Sequence, residues 1–69
     1  MNQLKRIRLK NKWTQQYLAD RIGITKASYS NIETGKRRPS LKTALKIQKA
    51  TGVPVEELFG EESTEDKTI

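Results

Sequence analysis

The 69-residue sequence contains no cysteine and no histidine. These absences exclude catalytic sites built on a thiol or an imidazole, and also the usual zinc sites, which rely on the same side chains. The sequence has no apolar run of about 20 residues, as a membrane-spanning helix would need, and no signal peptide. We therefore expect a cytoplasmic protein that makes no membrane contact and uses no metal or other cofactor.

Acidic residues are scarce in the first 60 positions. That segment holds 13 basic and four acidic side chains, whereas residues 61–69 hold one lysine and four acids. The four acids of the first segment show no pairing that suggests carboxylate catalysis, so we expect no enzyme. A basic folded domain attracts polyanions, and nucleic acid is the commonest one inside cells. Charge alone is weak evidence, because many small basic domains simply carry solvated lysines.

The most informative stretch is TQQYLADRIGITKASYSNIETG, from Thr14 to Gly35. Two short apolar stripes at helical spacing flank a three-residue hinge. Gly23 can adopt the left-handed conformation that ends a helix, and Thr25 can cap the next helix. The small side chain of Ala19 allows the two helices to approach closely. The pattern predicts a helix-turn-helix over about residues 15–34, with Leu18, Ala19, Ile22, Tyr29 and Ile32 on its inner side.

Further helices are predicted on both sides of this motif. The first takes its apolar side from Leu4, Ile7 and Leu9. It breaks near Asn11 and Lys12. Ser40 caps a fourth helix that ends at Gly52, and Pro54 opens a short fifth helix. The inner stripe of the fourth helix is predicted to contain Leu41, Ala44, Leu45, Ile47 and Gln48. Residues 61–69 lack an apolar face, so we expect one domain over residues 1–60 and a disordered acidic tail over 61–69.

From about Leu4 to Phe59 the sequence resembles the Cro/C1-type (XRE) family of phage and bacterial repressors. The resemblance implies an all-α, five-helix, lambda-repressor-like domain containing the helix-turn-helix, in a bacterial or phage-encoded protein. Three positions depart from the family pattern. Lys12 stands where the family usually has glycine, so that Asn11 or Lys12 must adopt an unusual turn. Gln48 and Thr51 replace a small apolar residue and a leucine.

The resemblance implies a set of DNA-contacting residues. Helices of this type enter the major groove with their N-terminal end leading. The residues expected to read bases are Lys26, Ala27, Ser28, Ser30 and Asn31. The residues expected to bind phosphates are Gln15, Thr25, Lys36, Arg37 and Arg38. On an unrelated helix or loop these would be ordinary solvated side chains, and it is their place in the motif that favours DNA contact.

Three further contacts are predicted. Arg8 matches the family arginine that forms a partly buried ion pair with a glutamate, here Glu33; otherwise Arg8 is a solvated arginine on a basic helix. Trp13 precedes Thr14, which is predicted to cap the second helix. Trp13 and Leu18 have the spacing of a hydrophobic staple, although the indole N–H could also touch a DNA phosphate. In relatives the fifth helix often forms a dimer contact. That contact would fall on Val53, Val55, Leu58 and Phe59, which could equally close the core.

The expected function is sequence-specific binding of double-stranded DNA to regulate transcription, most simply as a repressor. The expected site is a partly palindromic operator bound by a homodimer, with pairing either in solution or only on DNA. No small-molecule ligand is evident. The alternative is a protein-interaction module or antitoxin that uses the same fold to bind another protein. Such a module would be expected to show exposed aliphatic residues on the outward face of the third helix.

Overall fold

The computed structural model describes residues 3–59. Within this range the chain forms five helices and no strand: α1 (Leu4–Lys10), α2 (Gln15–Ile22), α3 (Lys26–Glu33), α4 (Leu41–Thr51) and α5 (residues 55–59). The predicted all-α, five-helix fold is thus confirmed. None of the helices in residues 3–59 is long and apolar enough to cross a membrane. The predicted tail, residues 61–69, lies outside the described residues.

Three of the helices begin with a hydroxyl cap. Each hydroxyl accepts a hydrogen bond from a backbone amide that has no partner within its own helix, which stabilises the first turn. The pairs are Thr14 with Tyr17, Thr25 with Ser28 and Ser40 with Thr43, at 2.9, 3.0 and 3.2 Å between oxygen and amide nitrogen. All three caps were predicted from the sequence, and they set where α2, α3 and α4 begin.

Two glycines end α2 and α4 as predicted. Gly23 and Gly52 have φ angles of 87° and 77°, in the left-handed region that side chains with a Cβ rarely adopt. A Cβ added at either position would meet no atom within 4 Å. The requirement for glycine therefore comes from the backbone conformation and not from lack of space.

Lys12 takes the unusual turn that the sequence predicted after α1. Its φ angle is 59°, and it is the one residue other than glycine with positive φ among residues 3–59. The backbone here reverses direction so that the amide of Trp13 can bond to the carbonyl of Arg8 at 3.0 Å. A lysine in this conformation carries a steric cost that glycine would avoid.

The core lies where the helices meet, and α5 closes it. The buried apolar residues are Leu4, Leu18, Ala19, Ile22, Tyr29, Ile32, Ala44, Ile47, Leu58 and Phe59. Leu58 and Phe59 were predicted as dimer contacts, but they are only 1% and 5% exposed. They pack inward because α5 folds back on α1, where the carbonyl of Leu58 accepts a hydrogen bond from the amide of Gln3 at 3.1 Å.

The predicted inner stripe of α4 was partly wrong. Ala44 and Ile47 are buried, whereas Leu41 and Leu45 are 73% and 47% exposed. At about 100° per residue, the buried side of α4 is centred between Ala44 and Ile47, and Leu41 and Leu45 lie about 90° and 130° around the helix from that centre. Leu9 was predicted to lie on the apolar side of α1, but it is also exposed.

The two polar departures near the end of α4 form hydrogen bonds to the backbone that follows. The side-chain oxygen of Gln48 accepts from the amide of Val55 at 2.9 Å. The hydroxyl of Thr51 donates to the carbonyl of Ile47 at 2.9 Å and accepts from the amide of Val53 at 3.2 Å. These bonds connect α4 to the start of α5, so polar side chains fit where the family usually has apolar ones.

Candidate nucleic-acid interface

The helix-turn-helix is formed by α2, the hinge of residues 23–25 and α3. Ala19 is fully buried, and its carbonyl accepts from the amides of Gly23 at 2.8 Å and Ile24 at 3.0 Å. Tyr29 and Ile32 turn the inner side of α3 to the core, where they are 0% and 5% exposed. Because that side is buried, the opposite side of α3 faces outward.

The five residues predicted to read bases lie in the first six positions of α3. Lys26 and Ala27 are exposed, and Ser28, Ser30 and Asn31 are half-buried. Ser28 differs from the others because it lines a cleft of about 310 Å³ together with Ser40 and Thr43 of the α4 region. The other four lie outside that cleft. Ser28 therefore lies at the α4 edge of the predicted reading surface.

The basic loop predicted to bind phosphates follows α3 directly. Lys36, Arg37 and Arg38 are all exposed. The backbone amide of Arg37 donates to the carbonyl of Asn31 at 3.1 Å, so the loop is connected to the outward part of α3. Three cationic residues are thus placed beside the predicted reading surface. Such an arrangement can neutralise phosphates that flank a groove.

The remaining residues predicted to bind phosphates are at the helix starts. Thr25 is exposed, and its hydroxyl oxygen caps α3, which leaves its hydrogen available for donation. Gln15, the first residue of α2, is half-buried, and its side-chain nitrogen lies 3.4 Å from Oε2 of Glu33. Gln15 therefore links the surface of the motif to the ion pair beneath it.

The structure joins Arg8 of α1 to Glu33 at the end of α3. Arg8 Nε lies 2.9 Å from Glu33 Oε1, and Nη2 lies 3.0 Å from Oε2. The third nitrogen, Nη1, donates to the carbonyl of Trp13 at 3.0 Å. The two residues are only 9% and 5% exposed. This two-point geometry is the strongest form of an arginine–carboxylate pair and sets α3 against α1.

Burial and pairing act in opposite directions on these groups. Burial alone would raise the pKa of Glu33, but the hydrogen bonds from Arg8 hold that pKa below its ordinary value. The pKa of Arg8 is raised, chiefly by the hydrogen bond to Glu33. Burial raises the pKa of Tyr29, whose hydroxyl has no hydrogen-bond partner among the described residues although Glu33 lies near enough to influence it.

Sequence reasoning missed one contact on the outer side of α2. The rings of Trp13 and Tyr17 are 5.6 Å apart between centroids, and the Arg21 guanidinium carbon lies 5.8 Å from the centre of the Tyr17 ring. Tyr17 and Arg21 are four residues apart in α2, so they lie one above the other, while Trp13 precedes the helix and contacts the Tyr17 ring from there. The spacing of Tyr17 and Arg21 could have revealed their contact.

The chain is similar in sequence to proteins named as transcriptional regulators. A family model described as helix-turn-helix matches residues 4–58. The HTH-type transcriptional regulator AnsR of Bacillus subtilis is 37% identical over 62 residues, which cover 90% of this chain and 53% of AnsR. An uncharacterized HTH-type transcriptional regulator of Methanocaldococcus jannaschii is 43% identical over 58 residues, or 84% of this chain and 88% of that protein.

A phage protein is similar over a shorter region. The cryptic phage CTXphi transcriptional repressor RstR of Vibrio cholerae is 38% identical over 53 residues, which cover 77% of this chain and 47% of RstR. The chain thus spans about half the length of AnsR and of RstR.

Proposed function

This chain belongs to the Cro/C1-type (XRE) helix-turn-helix family of DNA-binding transcriptional regulators, and we propose that it is a repressor. The observation that carries the proposal is the outward side of α3, which is followed directly by three exposed cations, Lys36, Arg37 and Arg38. The similarity to RstR, whose name describes it as a repressor, supports repression of transcription over activation. Repression requires little more than occupancy of a promoter, which a DNA-binding domain can achieve alone.

In the proposed complex α3 lies in the major groove and reads bases. Lys26 donates to O6 or N7 of a guanine, Ala27 contacts a thymine methyl group and Asn31 makes two hydrogen bonds to an adenine. Ser28 and Ser30 donate or accept. Within residues 3–59, the backbone carbonyl of Asn31 accepts hydrogen bonds, whereas no hydrogen bond involves its side-chain amide. That amide is therefore available for a base edge.

The proposed phosphate contacts lie on both sides of the reading surface. Lys36, Arg37 and Arg38 lie beyond the end of α3, while Gln15 and Thr25 lie at the starts of α2 and α3. Contacts to the backbone fix the register of a protein on DNA but carry no sequence information. Each cation that neutralises a phosphate releases counterions, so these residues make binding dependent on salt.

The proposed dimer uses a patch where α4 meets α5. Leu58 and Phe59 are buried in their own chain, which leaves Val53 and Val55 of the predicted contact at the surface. Leu45 extends the patch, because it lines a shallow cleft with Gln48, whose side chain bonds to Val55. A two-fold axis here would bring the lysines of α4 near the acids of the other copy's α5. Such a dimer would place two half-sites about 34 to 36 Å apart.

Selection of bound sequences from a random pool of duplex DNA tests this proposal. We expect enrichment of an inverted repeat whose half-sites are separated by about one helical turn. Enrichment of a single half-site would contradict the proposed dimer but would still support recognition of bases by α3. If no sequence is enriched, specific recognition fails. A reporter gene placed under the enriched site would then separate a repressor, which lowers expression, from an activator, which raises it.

A second candidate function is binding of another protein, as an antitoxin does. The observation in its favour is Leu41 of α4, which is 73% exposed and is not used by the proposed DNA contacts. Against it, the outward side of α3 carries no aliphatic side chain larger than that of Ala27. This alternative predicts that Leu41→Ser abolishes partner binding. Any DNA selection should stay unchanged, because the proposed DNA contacts do not involve Leu41.

A further inference from the structure

A groove runs between α1 and the segment that leads into α5. It encloses about 440 Å³ and is lined by Gln3, Arg6, Ile7, Lys10, Val53 and Glu57. Arg6 and Lys10 are four residues apart, so they lie on the same side of α1. Both are exposed, and no ion pair between the described residues involves either of them. The groove therefore offers two cations beside the half-buried apolar surface of Ile7 and Val53.

The described chain stops next to this groove. The carbonyl of Leu58 accepts from the amide of Gln3 at 3.1 Å, and Glu57 and Gln3 both line the groove. Glu61 is two residues beyond Phe59 and can lie at most about 7 Å from it, and Asp66 at most about 25 Å, along an extended chain. The acids of residues 61–69 thus begin within reach of Arg6 and Lys10.

We propose that the acidic segment of residues 61–69 docks in this groove and pairs its carboxylates with Arg6 and Lys10. The segment contains four acids and one lysine, which complements the α1 side of the groove. Glu57 lies on the opposite side and repels carboxylates, so it directs the segment toward α1. The short connection raises the local concentration of the segment to the millimolar range, which compensates for individually weak surface pairs.

Charge favours this segment over a second copy of the chain as the occupant. A second copy docked through the same groove would bring its own Arg6 and Lys10 against the first pair, and like charges repel. The proposal does not depend on DNA binding, since α1 carries none of the proposed DNA contacts. Docking on α1 lowers the net positive charge around the domain while leaving α3 and the loop of residues 36–38 uncovered.

A spin label on the segment tests the docking in the full chain. The sequence has no cysteine, so Ser63→Cys creates a unique attachment site. We expect the label to broaden the amide signals of Arg6, Ile7 and Lys10 most strongly. The effect should vanish in 1 M salt, where the screening length is about 3 Å. Strongest broadening at residues 36–38 would place the segment on the proposed DNA interface, and uniform weak broadening would mean no docking; either result overturns the proposal.

Two controls make the test specific. Removing the two cations with Arg6→Gln and Lys10→Gln should abolish the broadening around α1. Removing two exposed cations outside the groove and outside the proposed interfaces, with Lys5→Gln and Arg21→Gln, lowers the net charge equally and should leave it intact. Mixing spin-labelled protein with isotope-labelled protein that carries no spin label separates contacts within one chain from contacts between chains. Broadening in the mixture equal to that within one chain would assign the groove to a second copy and overturn the proposal.

Discussion

Arg8 and Arg37 place the same charged group in two different environments. Arg8 is 9% exposed, and its guanidinium donates to two oxygens of Glu33 and to the carbonyl of Trp13. Arg37 is exposed, and its only hydrogen bond among the described residues is the one that its backbone amide donates to the carbonyl of Asn31. The Arg8 side chain is shielded from water, and its charge is stabilised by these hydrogen bonds. The Arg37 side chain remains hydrated and is accessible to a phosphate.

The comparison predicts that folding and DNA binding depend on separate sets of charges in this small domain. A buried ion pair is costly to break, because removing one partner leaves a charge in a medium of low dielectric constant. An exposed cation contributes little to stability but adds directly to the attraction for DNA. Substitutions in the two regions should therefore change different measurements, and the predictions below test that separation.

The largest effect is expected at the buried pair. Arg8→Ala should lower the free energy of unfolding by about 3 to 5 kcal/mol, because Glu33 is left charged and without its partner. Unfolding in urea, followed by circular dichroism, measures this loss. Lys5→Ala removes a positive charge at an exposed position of the same helix and should cost no more than about 0.5 kcal/mol.

The double variant decides whether the two residues act as a pair. Arg8→Ala combined with Glu33→Ala should cost less than the sum of the two single substitutions, because neither charge is then stranded. Simple additivity would show that the pair contributes no coupling, and the contrast between Arg8 and Arg37 would then reduce to burial alone.

Low pH should weaken the same pair without any substitution. Arg8 holds the pKa of Glu33 below its ordinary value of 4.5, so the unfolded chain binds this proton more readily than the folded one. The resulting stability is present above about pH 4.5 and is lost as the pH falls through the lower folded pKa. Urea midpoints should therefore decline below pH 4.5, and less steeply in the Arg8→Ala, Glu33→Ala double variant. Equal slopes would contradict the assignment.

On the binding side, Asn31→Ala should produce the largest change in specificity. Loss of a two-point contact to a base is expected to cost about 1 to 3 kcal/mol of discrimination at one position of each half-site. Affinity for unrelated DNA should change little. Comparing the selected operator with single-base variants, at one salt concentration, measures this. An unchanged preference at every position would show that Asn31 does not read a base.

Arg37→Ala should weaken binding to all sequences alike. The slope of log K against log salt should become shallower by about one unit, as expected when one phosphate contact is lost. Stability in urea should stay within about 0.5 kcal/mol of the parent, in contrast to Arg8→Ala. Lys5→Ala serves as the matched loss of charge outside the interface. A change in sequence preference would mean that the loop contributes to reading bases.

The smallest effect is expected at Lys12, an exposed cation whose influence is on the backbone. Lys12→Gly removes the steric cost of its left-handed conformation, about 1 to 2 kcal/mol, but adds roughly 0.5 to 1 kcal/mol of chain entropy in the unfolded state. The net result should be a gain of at most about 1 kcal/mol, measured by urea unfolding. A loss of stability would show that the lysine side chain contributes contacts that outweigh the strain.

The helix-turn-helix could be predicted from sequence because its signals are local. Thr14, Thr25 and Ser40 each precede a stretch with apolar residues at helical spacing, and each caps a helix. Gly23 and Gly52 follow two of these stretches and end α2 and α4. Each of these signals acts through backbone atoms within a few residues. The resemblance also identified which two residues would lie at matching positions for an ion pair, although nothing in the local sequence placed them 2.9 Å apart.

The surface of α4 and the place of α5 could not be predicted in this way. Leu41 and Leu45 share a helical stripe with Ala44, and only the position of α2 decides that Ala44 and Ile47 face the core. Leu58 is buried because α5 meets α1, a contact between residues far apart in the chain. Gln48 and Thr51 fit because their hydrogen bonds go to the backbone of residues 47, 53 and 55, which side-chain identity does not reveal.

α3 is stabilised at its start, its middle and its end. Thr25 caps its first turn, Tyr29 is fully buried at its middle and Glu33 is bonded to Arg8 at its end. A helix that is capped, packed and ion-paired in this way is already ordered before any DNA arrives. Ordering the backbone of a loose segment costs about 1 to 2 kcal/mol per residue, and that cost is met here during folding. α3 is thus preorganised, so that the proposed binding to DNA needs to order only its outward side chains.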